Sequence, residues 1–152
     1  MADDKDLDKN PSPEDELQWE VFVDEKEYNL KGFLQMCIER RFHAAVQKCF
    51  QGKTGLAETD YWIHTDVGGT PRMESNRGAP DYCYDHPQNA RIMGWSAHGS
   101  DCGGLPGMLD PAILQKLRDT LAVQAARYPD ATHHGFFAKI LNGQIHITHI
   151  RP

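Results

Sequence analysis

Asn142-Gly143 stands between two apolar runs, FFAKIL and QIHITHI, and this is the strongest local constraint on how the chain can fold. Both central residues of a type I′ turn need positive φ, and Asn followed by Gly tolerates that conformation, so the two runs are expected to pair as an antiparallel hairpin. A two-residue loop also sets the register. Leu141 faces Gln144, Ile140 faces Ile145, Ala138 faces Ile147 and Phe136 faces His149, which gives an apolar face. Lys139 against His146 and Phe137 against Thr148 make the other face more polar. The same register carries His149 to the open end of the hairpin, beside His133 and His134.

Upstream, the periodicity predicts four more elements and a second helix. Trp19, Val21 and Val23 alternate over Gln18 to Val23 as in a half-buried strand. Leu30, Phe33, Leu34, Cys37, Ile38, Phe42, Ala45, Val46, Cys49 and Phe50 recur at helical spacing over residues 30 to 50, with Asn29 as cap and Gly52 as stop. That assignment puts Cys37 and Cys49 on a buried helix face as small hydrophobes. Tyr61 to Val67 and Arg91 to His98 read as short strands. Asp110-Pro111 opens a helix that Pro129 ends. The order β-α-β-β-α-β-β predicts a small α+β domain over residues 17 to 152, an antiparallel sheet with two packed helices ending in the β-hairpin.

Charge separates a leader from this body. Residues 1 to 27 hold eleven acidic side chains against three lysines, a local charge of −8 in a chain whose net charge is −6, so the remainder is mildly positive. Residues 1 to 16 lack aromatic and β-branched side chains and are expected to form a disordered acidic leader. The N-terminus is acidic where a signal peptide is basic and then apolar, and no apolar run is long enough to span a bilayer. Four cysteines at uneven spacing, without a secretion signal, point to free thiols or metal ligands in a reducing, cytoplasmic setting. Arg40, Arg41, Lys48 and Lys53 form the solvated side of an amphipathic helix, and overall acidity opposes nucleic acid as a partner. No membrane partner is expected, and the oligomeric state is not encoded in any pattern.

Gly68 to Ala90 has neither helical nor strand periodicity, and loops of that length tend to be functional, organised by a ligand, or disordered. Cys83, His86, His98 and Cys102 flank its end as C-x2-H and H-x3-C, spacings that let paired ligands meet one tetrahedral zinc. Alternatively, Cys102 sits shortly before the Asp110 helix, where backbone amides and the helix dipole favour a thiolate nucleophile, and the cluster of His133, His134 and His149 offers a base and its orienting partner. A third set, His64, Asp66, Asp85, His86 and Asp101, has the donors of a divalent-cation site for phosphoester hydrolysis. No Walker-type glycine loop, Ser-His-Asp elbow or HExxH motif is present.

Asp101-Cys102-Gly103-Gly104-Leu105 resembles the Asp-Cys-Ser-Gly-Leu motif of NlpC/P60 cysteine peptidases, with Gly103 in place of the serine, and the segment from His134 to His146 resembles their histidine strand. The resemblance covers two short motifs in the last third of the chain. It implies Cys102 as nucleophile, His134 as base and His146 as its orienter, with peptide-type amides cleaved without a cofactor. The leading expectation is therefore a cysteine-dependent hydrolase acting on a peptide-like or small-molecule substrate. The alternatives are a non-catalytic module ordered by zinc that binds a protein partner, and a metal-dependent phosphoesterase.

Overall fold

A computed structural model of the chain describes residues 17–73 and 77–152; the acidic leader expected over residues 1–16 lies outside them. The described residues form β1 (Gly32–Cys37), α1 (His43–Thr54), β2 (Tyr61–Asp66), α2 (Gly78–Asp85), β3 (Ile92–His98), α3 (Asp110–Arg127), β4 (Thr132–Leu141) and β5 (Gln144–Ile150). The sheet order is β2-β1-β3-β4-β5. The α+β class and the C-terminal hairpin are as expected, but the sheet is mixed: β1 pairs in parallel with β2 and β3, β3 pairs in parallel with β4, and β4 and β5 are antiparallel. The hairpin register agrees at every expected pair, from Leu141↔Gln144 to Phe136↔His149, and Asn142 and Gly143 both take positive φ.

Parallel pairing follows from the helices. Each crossover between parallel strands returns through a helix, so both sheet faces become covered. On one face α1 packs Val46 and Phe50 against Leu34, Met36, Phe136 and Ala138. On the other, α3 packs Ile113, Leu117 and Leu121 against Phe33, Met93, Trp95 and Phe137. All six residues of β1 are consequently buried.

This double burial explains the main difference from the sequence reading. A strand covered on both faces loses its period of two and becomes a continuous apolar run. GFLQMC, read as the first turns of a helix over residues 30 to 50, is therefore the central strand, and the helix begins only at His43. It ends at Gly55, whose φ of 76° lets its N–H close on the Gln51 carbonyl. Cys37 accordingly ends a strand. The expected strand over Gln18 to Val23 does not form; Val21 is 95% exposed, so the alternation meets no core. Within the long irregular stretch, Pro80 sits in the first turn of α2 and the buried Cys83 anchors that helix.

Two polar features fix the α3 side. Trp95 Nε1–H donates to His133 Nδ1 at 3.0 Å, and His133 Nε2–H donates to the Tyr128 carbonyl at 2.8 Å. Both ring nitrogens of His133 are thereby used, and burial holds its pKa below the usual histidine value. No helix among the described residues is long and apolar enough to cross a membrane.

The spacing between β3 and α1 depends on Gly94. A Cβ there would lie 2.8 Å from Leu34 Cδ1 and 2.8 Å from the Phe50 ring. Gly94→Ala is expected to lower unfolding stability by about 1–3 kcal/mol, since both neighbours are fully buried. Urea denaturation measures this, and a midpoint unchanged from the parent would show that this contact has slack.

Candidate metal centre

Cys37 is the last residue of β1 and His98 the last of β3, so two adjacent parallel strands deliver both side chains to the same carboxyl edge. The chain leaves β1 toward α1 on one face and leaves β3 toward α3 on the other, which opens a crevice between the strand ends, the usual binding position of open α/β sheets. Cys102 returns to this crevice from the loop after β3. A ring nitrogen of His98 and the sulfurs of Cys37 and Cys102 all lie within 4.8 Å of one another, and the two sulfurs are 4.0 Å apart.

The loop is held by hydrogen bonds at both ends. Gly99 N–H donates to the Ala138 carbonyl, Ile140 N–H donates to Ser100 Oγ, and Ser100 N–H donates to Asp110 Oδ1. Asp110 thus joins the first turn of α3 to the cysteine-bearing loop, while Leu109 takes the extended N-cap position expected for Asp110. Arg72 Nη1 donates to the Gly104 carbonyl at 3.0 Å and ties the segment after β2 to the same loop. Gly69 in that segment has φ +64°, and a Cβ on it would lie 2.8 Å from the Ser96 carbonyl oxygen. Only a glycine lets the backbone approach the end of β1 this closely.

His98 Nδ1–H donates to its neighbour, the Gly99 carbonyl, at 2.7 Å, which leaves Nε2 as the nitrogen with a free lone pair. Nε2 is buried and has no conventional hydrogen-bond partner. The ring stacks on Phe42 with centroids 4.3 Å apart, which fixes its plane. A buried, oriented and unpartnered imidazole nitrogen next to two thiols has the donor set of a metal ligand group.

The electrostatics of the site favour thiolate at Cys37. Burial alone would push the Cys37 thiol up, but the His98 side chain and the backbone N–H groups of Glu39 and Gly68 outweigh it and bring the pKa down to about 7. For His98, burial is likewise outweighed by Cys37, the Gly99 carbonyl and the Glu39 charge, and its pKa is raised. Cys102 stays high, pushed up first by burial and further by Cys37, against the lowering effect of the Gly104 and Leu105 amides. A cation that displaces these protons would find four backbone amides already directed at its two sulfurs. Glu39 accepts from Arg41 N–H and from Arg41 Nε–H, both at 3.1 Å, and these bonds hold its carboxyl below the usual range.

The structure brings together two of the four expected zinc ligands, His98 and Cys102, and completes the set with Cys37. Cys83 lies buried on α2, where burial pushes its thiol up to about 11. His86 accepts from Gln88 N–H and packs its ring on Trp62 and Tyr82. Among the described residues Cys37, His98 and Cys102 are the group whose donors lie close enough together to hold a metal ion, and His64, Asp66, Asp85, His86 and Asp101 do not form another. His64 is held through Nδ1 by Gln35 Oε1, and Asp66 accepts from Val67 N–H. The signal for Cys37 is the run GFLQMC that it ends, apolar but for the buried Gln35; assigning that run to a helix hides the site.

The histidines assigned to catalysis stand elsewhere. His134 pairs with Gly94, four residues before His98 on β3, which puts it about 13 Å along the sheet from the metal-ligand group. Its Nδ1 lies 2.9 Å from Nε2 of His149, and the two rings stack. His146 is exposed on β5 opposite Lys139.

No protein-family model and no curated protein matches the sequence. Similar solved structures include a carbonic anhydrase from Glaciozyma antarctica, with TM-score 0.54 and 15% identity over 79% of this chain and 82% of that one. Tetrameric β-carbonic anhydrases from Sordaria macrospora give TM-score 0.50 and 14% identity over 82% and 84%. A β-carbonic anhydrase of Aspergillus fumigatus gives TM-score 0.50 and 14% identity over 80% and 76%. The fold is thus that of the β-carbonic anhydrases, which overturns the resemblance to NlpC/P60 peptidases. The cysteine hydrolase, the non-catalytic zinc module and the phosphoesterase all fall with that finding. The cofactor-free expectation gives way as well, because Cys102 stands in a metal-ligand group.

The His134–His149 pair predicts a pH dependence of stability. Burial lowers both pKa values first, and the positive charges of Arg151 on both and of Lys53 on His149 lower them further. A histidine whose folded pKa is depressed contributes fully above its unfolded value near 6.5, and loses that contribution as pH falls through 6.5 toward the folded value. Urea midpoints measured between pH 7.5 and 5 are expected to fall with acid, and to fall less steeply in His149→Gln. Equal slopes in parent and variant would refute this.

Proposed function

We propose that the chain is a zinc-dependent lyase of the carbonic anhydrase type, interconverting carbon dioxide and bicarbonate. The observation that carries this reading is the Cys37–His98–Cys102 group at the carboxyl ends of two adjacent parallel strands, in a fold similar to that of carbonic anhydrases. Two thiolates and one imidazole suit zinc, and a set of three protein ligands is that of a catalytic site, whose fourth position stays open, whereas structural sites close with four. Zinc held by these three residues would supply a Lewis acid that activates water as a nucleophile near neutral pH.

The chain's own residues prepare this chemistry. His98 is held in one tautomer by the Gly99 carbonyl and in one plane by Phe42, so Nε2 needs no reorganisation to act as ligand. The amides of Glu39 and Gly68 help bring the Cys37 thiol down, and those of Gly104 and Leu105 partly offset the burial that holds the Cys102 thiol up. Glu39, fixed by Arg41, places a negative charge near His98 and offers an acceptor for orienting a reacting water. Beside Cys37 and His98 lies a cavity of about 10 Å³, partly walled by Met36, Val46 and Ala97. That is room for about one water molecule. The need for two free thiolates suits a reducing, cytoplasmic location.

Zinc content and carbon dioxide hydration, followed by stopped-flow indicator change, test the reading together. The reduced chain is expected to hold one zinc and to accelerate hydration. His98→Ala and Cys37→Ser are expected to lose both metal and rate. Glu39→Gln is expected to keep zinc and lose about 10–100-fold in kcat, as removal of an orienting partner does. A zinc-loaded chain with no effect on hydration would overturn the assignment.

A further inference from the structure

We propose that Cys37 and Cys102 form a reversible redox switch on this centre, in which a peroxide joins the two sulfurs and thereby removes both thiolate ligands. The inference rests on the zinc reading above and adds a regulation to it. The two sulfurs are 4.0 Å apart although 65 residues separate them in sequence, and a disulfide needs about 2.05 Å. The remaining closure of roughly 2 Å falls to the Cys102 side. Cys37 ends the central strand, where all six residues are buried. Cys102 follows Ser100 and Asp101, both at positive φ, and precedes Gly103, around whose absent Cβ nothing lies within 4 Å. The open side at Gly103 leaves space for a local shift of Cys102 toward a fixed Cys37, while Gly99, Ser100 and Gly104 stay held by their hydrogen bonds.

The other two cysteines are placed apart from this chemistry. Cys83 is buried on α2 and Cys49 lies half-buried on α1, on the opposite face of the sheet, and neither belongs to the metal-ligand group. An oxidant has a route to Cys102, because a cleft of about 320 Å³ is lined by Asp101, Cys102, Gly103 and Leu105 among others. Hydrogen peroxide is small enough to enter a cleft of that size.

A Cys102 thiolate attacks one peroxide oxygen, forming an S–O bond and breaking O–O, and hydroxide leaves. The Cys37 thiolate then attacks the Cys102 sulfenic sulfur, forming S–S and breaking S–O, and a second hydroxide leaves. Two protons from solvent convert the hydroxides to water. Two electrons pass from the sulfurs to peroxide, and His98 remains as a single ligand. A dithiol such as dithiothreitol reverses the change by thiol–disulfide exchange.

The test uses the reduced, zinc-loaded full chain treated with increments of hydrogen peroxide. Zinc release is followed with a chromogenic chelator, and the disulfide by peptide mass mapping. The expected result is one zinc released per Cys37–Cys102 bond, with both restored by dithiothreitol and added zinc. The variants Cys49→Ser and Cys83→Ser are expected to behave as the parent does. Zinc release without that bond, or a bond through Cys49 or Cys83, overturns the switch. Retention of zinc and thiols under peroxide excess overturns it equally. A reduced chain that takes up no zinc overturns the preceding reading instead, and uptake followed by no Cys37–Cys102 bond overturns this inference alone.

Discussion

Everything in this molecule is arranged around a six-residue strand that has no solvent face. Once β1 is enclosed, it needs strand partners on both edges and helical cover on both faces, and β2, β3, α1 and α3 supply these. The crossovers that provide the cover leave β1 and β3 in opposite directions. A gap at their carboxyl ends follows from that connectivity. The centre occupies this gap, so the same packing that stabilises the sheet also brings its ligands together.

Legibility in the sequence tracked how local each signal was. The hairpin could be read to the residue because Asn142-Gly143 fixes register within two positions. The strands ending at Asp66 and His98 and the helix from Asp110 to Arg127 lay close to their expected limits, since each is bounded by its own turn or cap. β1 was misread because Leu34 and Met36 face α1 while Phe33 and Cys37 face the other layer, and a run buried on both sides can imitate a helix stripe. The centre suffered for the same reason. Its His98 and Cys102 are near in sequence and were singled out, whereas Cys37 reaches them only through strand pairing. Cys83 and His86 matched a ligand spacing without meeting the other two, because α2 draws Cys83 into the core and Trp62 and Tyr82 occupy His86.

The polar groups divide the sheet into two ends with different tasks. At the carboxyl end, amides and an imidazole are turned toward sulfur, and negative charge is favoured on Cys37. At the other end of β4, His134 and His149 share a hydrogen bond under positive neighbours and are kept neutral. His133 between them and the core is fully committed to Trp95 and Tyr128, which makes it a structural group despite its place in a histidine-rich segment.

The bond from Arg72 to the Gly104 carbonyl carries a consequence for assembly. It locks together two loops that belong to different crossovers, one following β2 and the other following β3, and it does so with protein atoms alone. The loop that bears Cys102 is therefore positioned in part from the segment after β2, and a change at Arg72 would reach it without touching any of the three donor side chains.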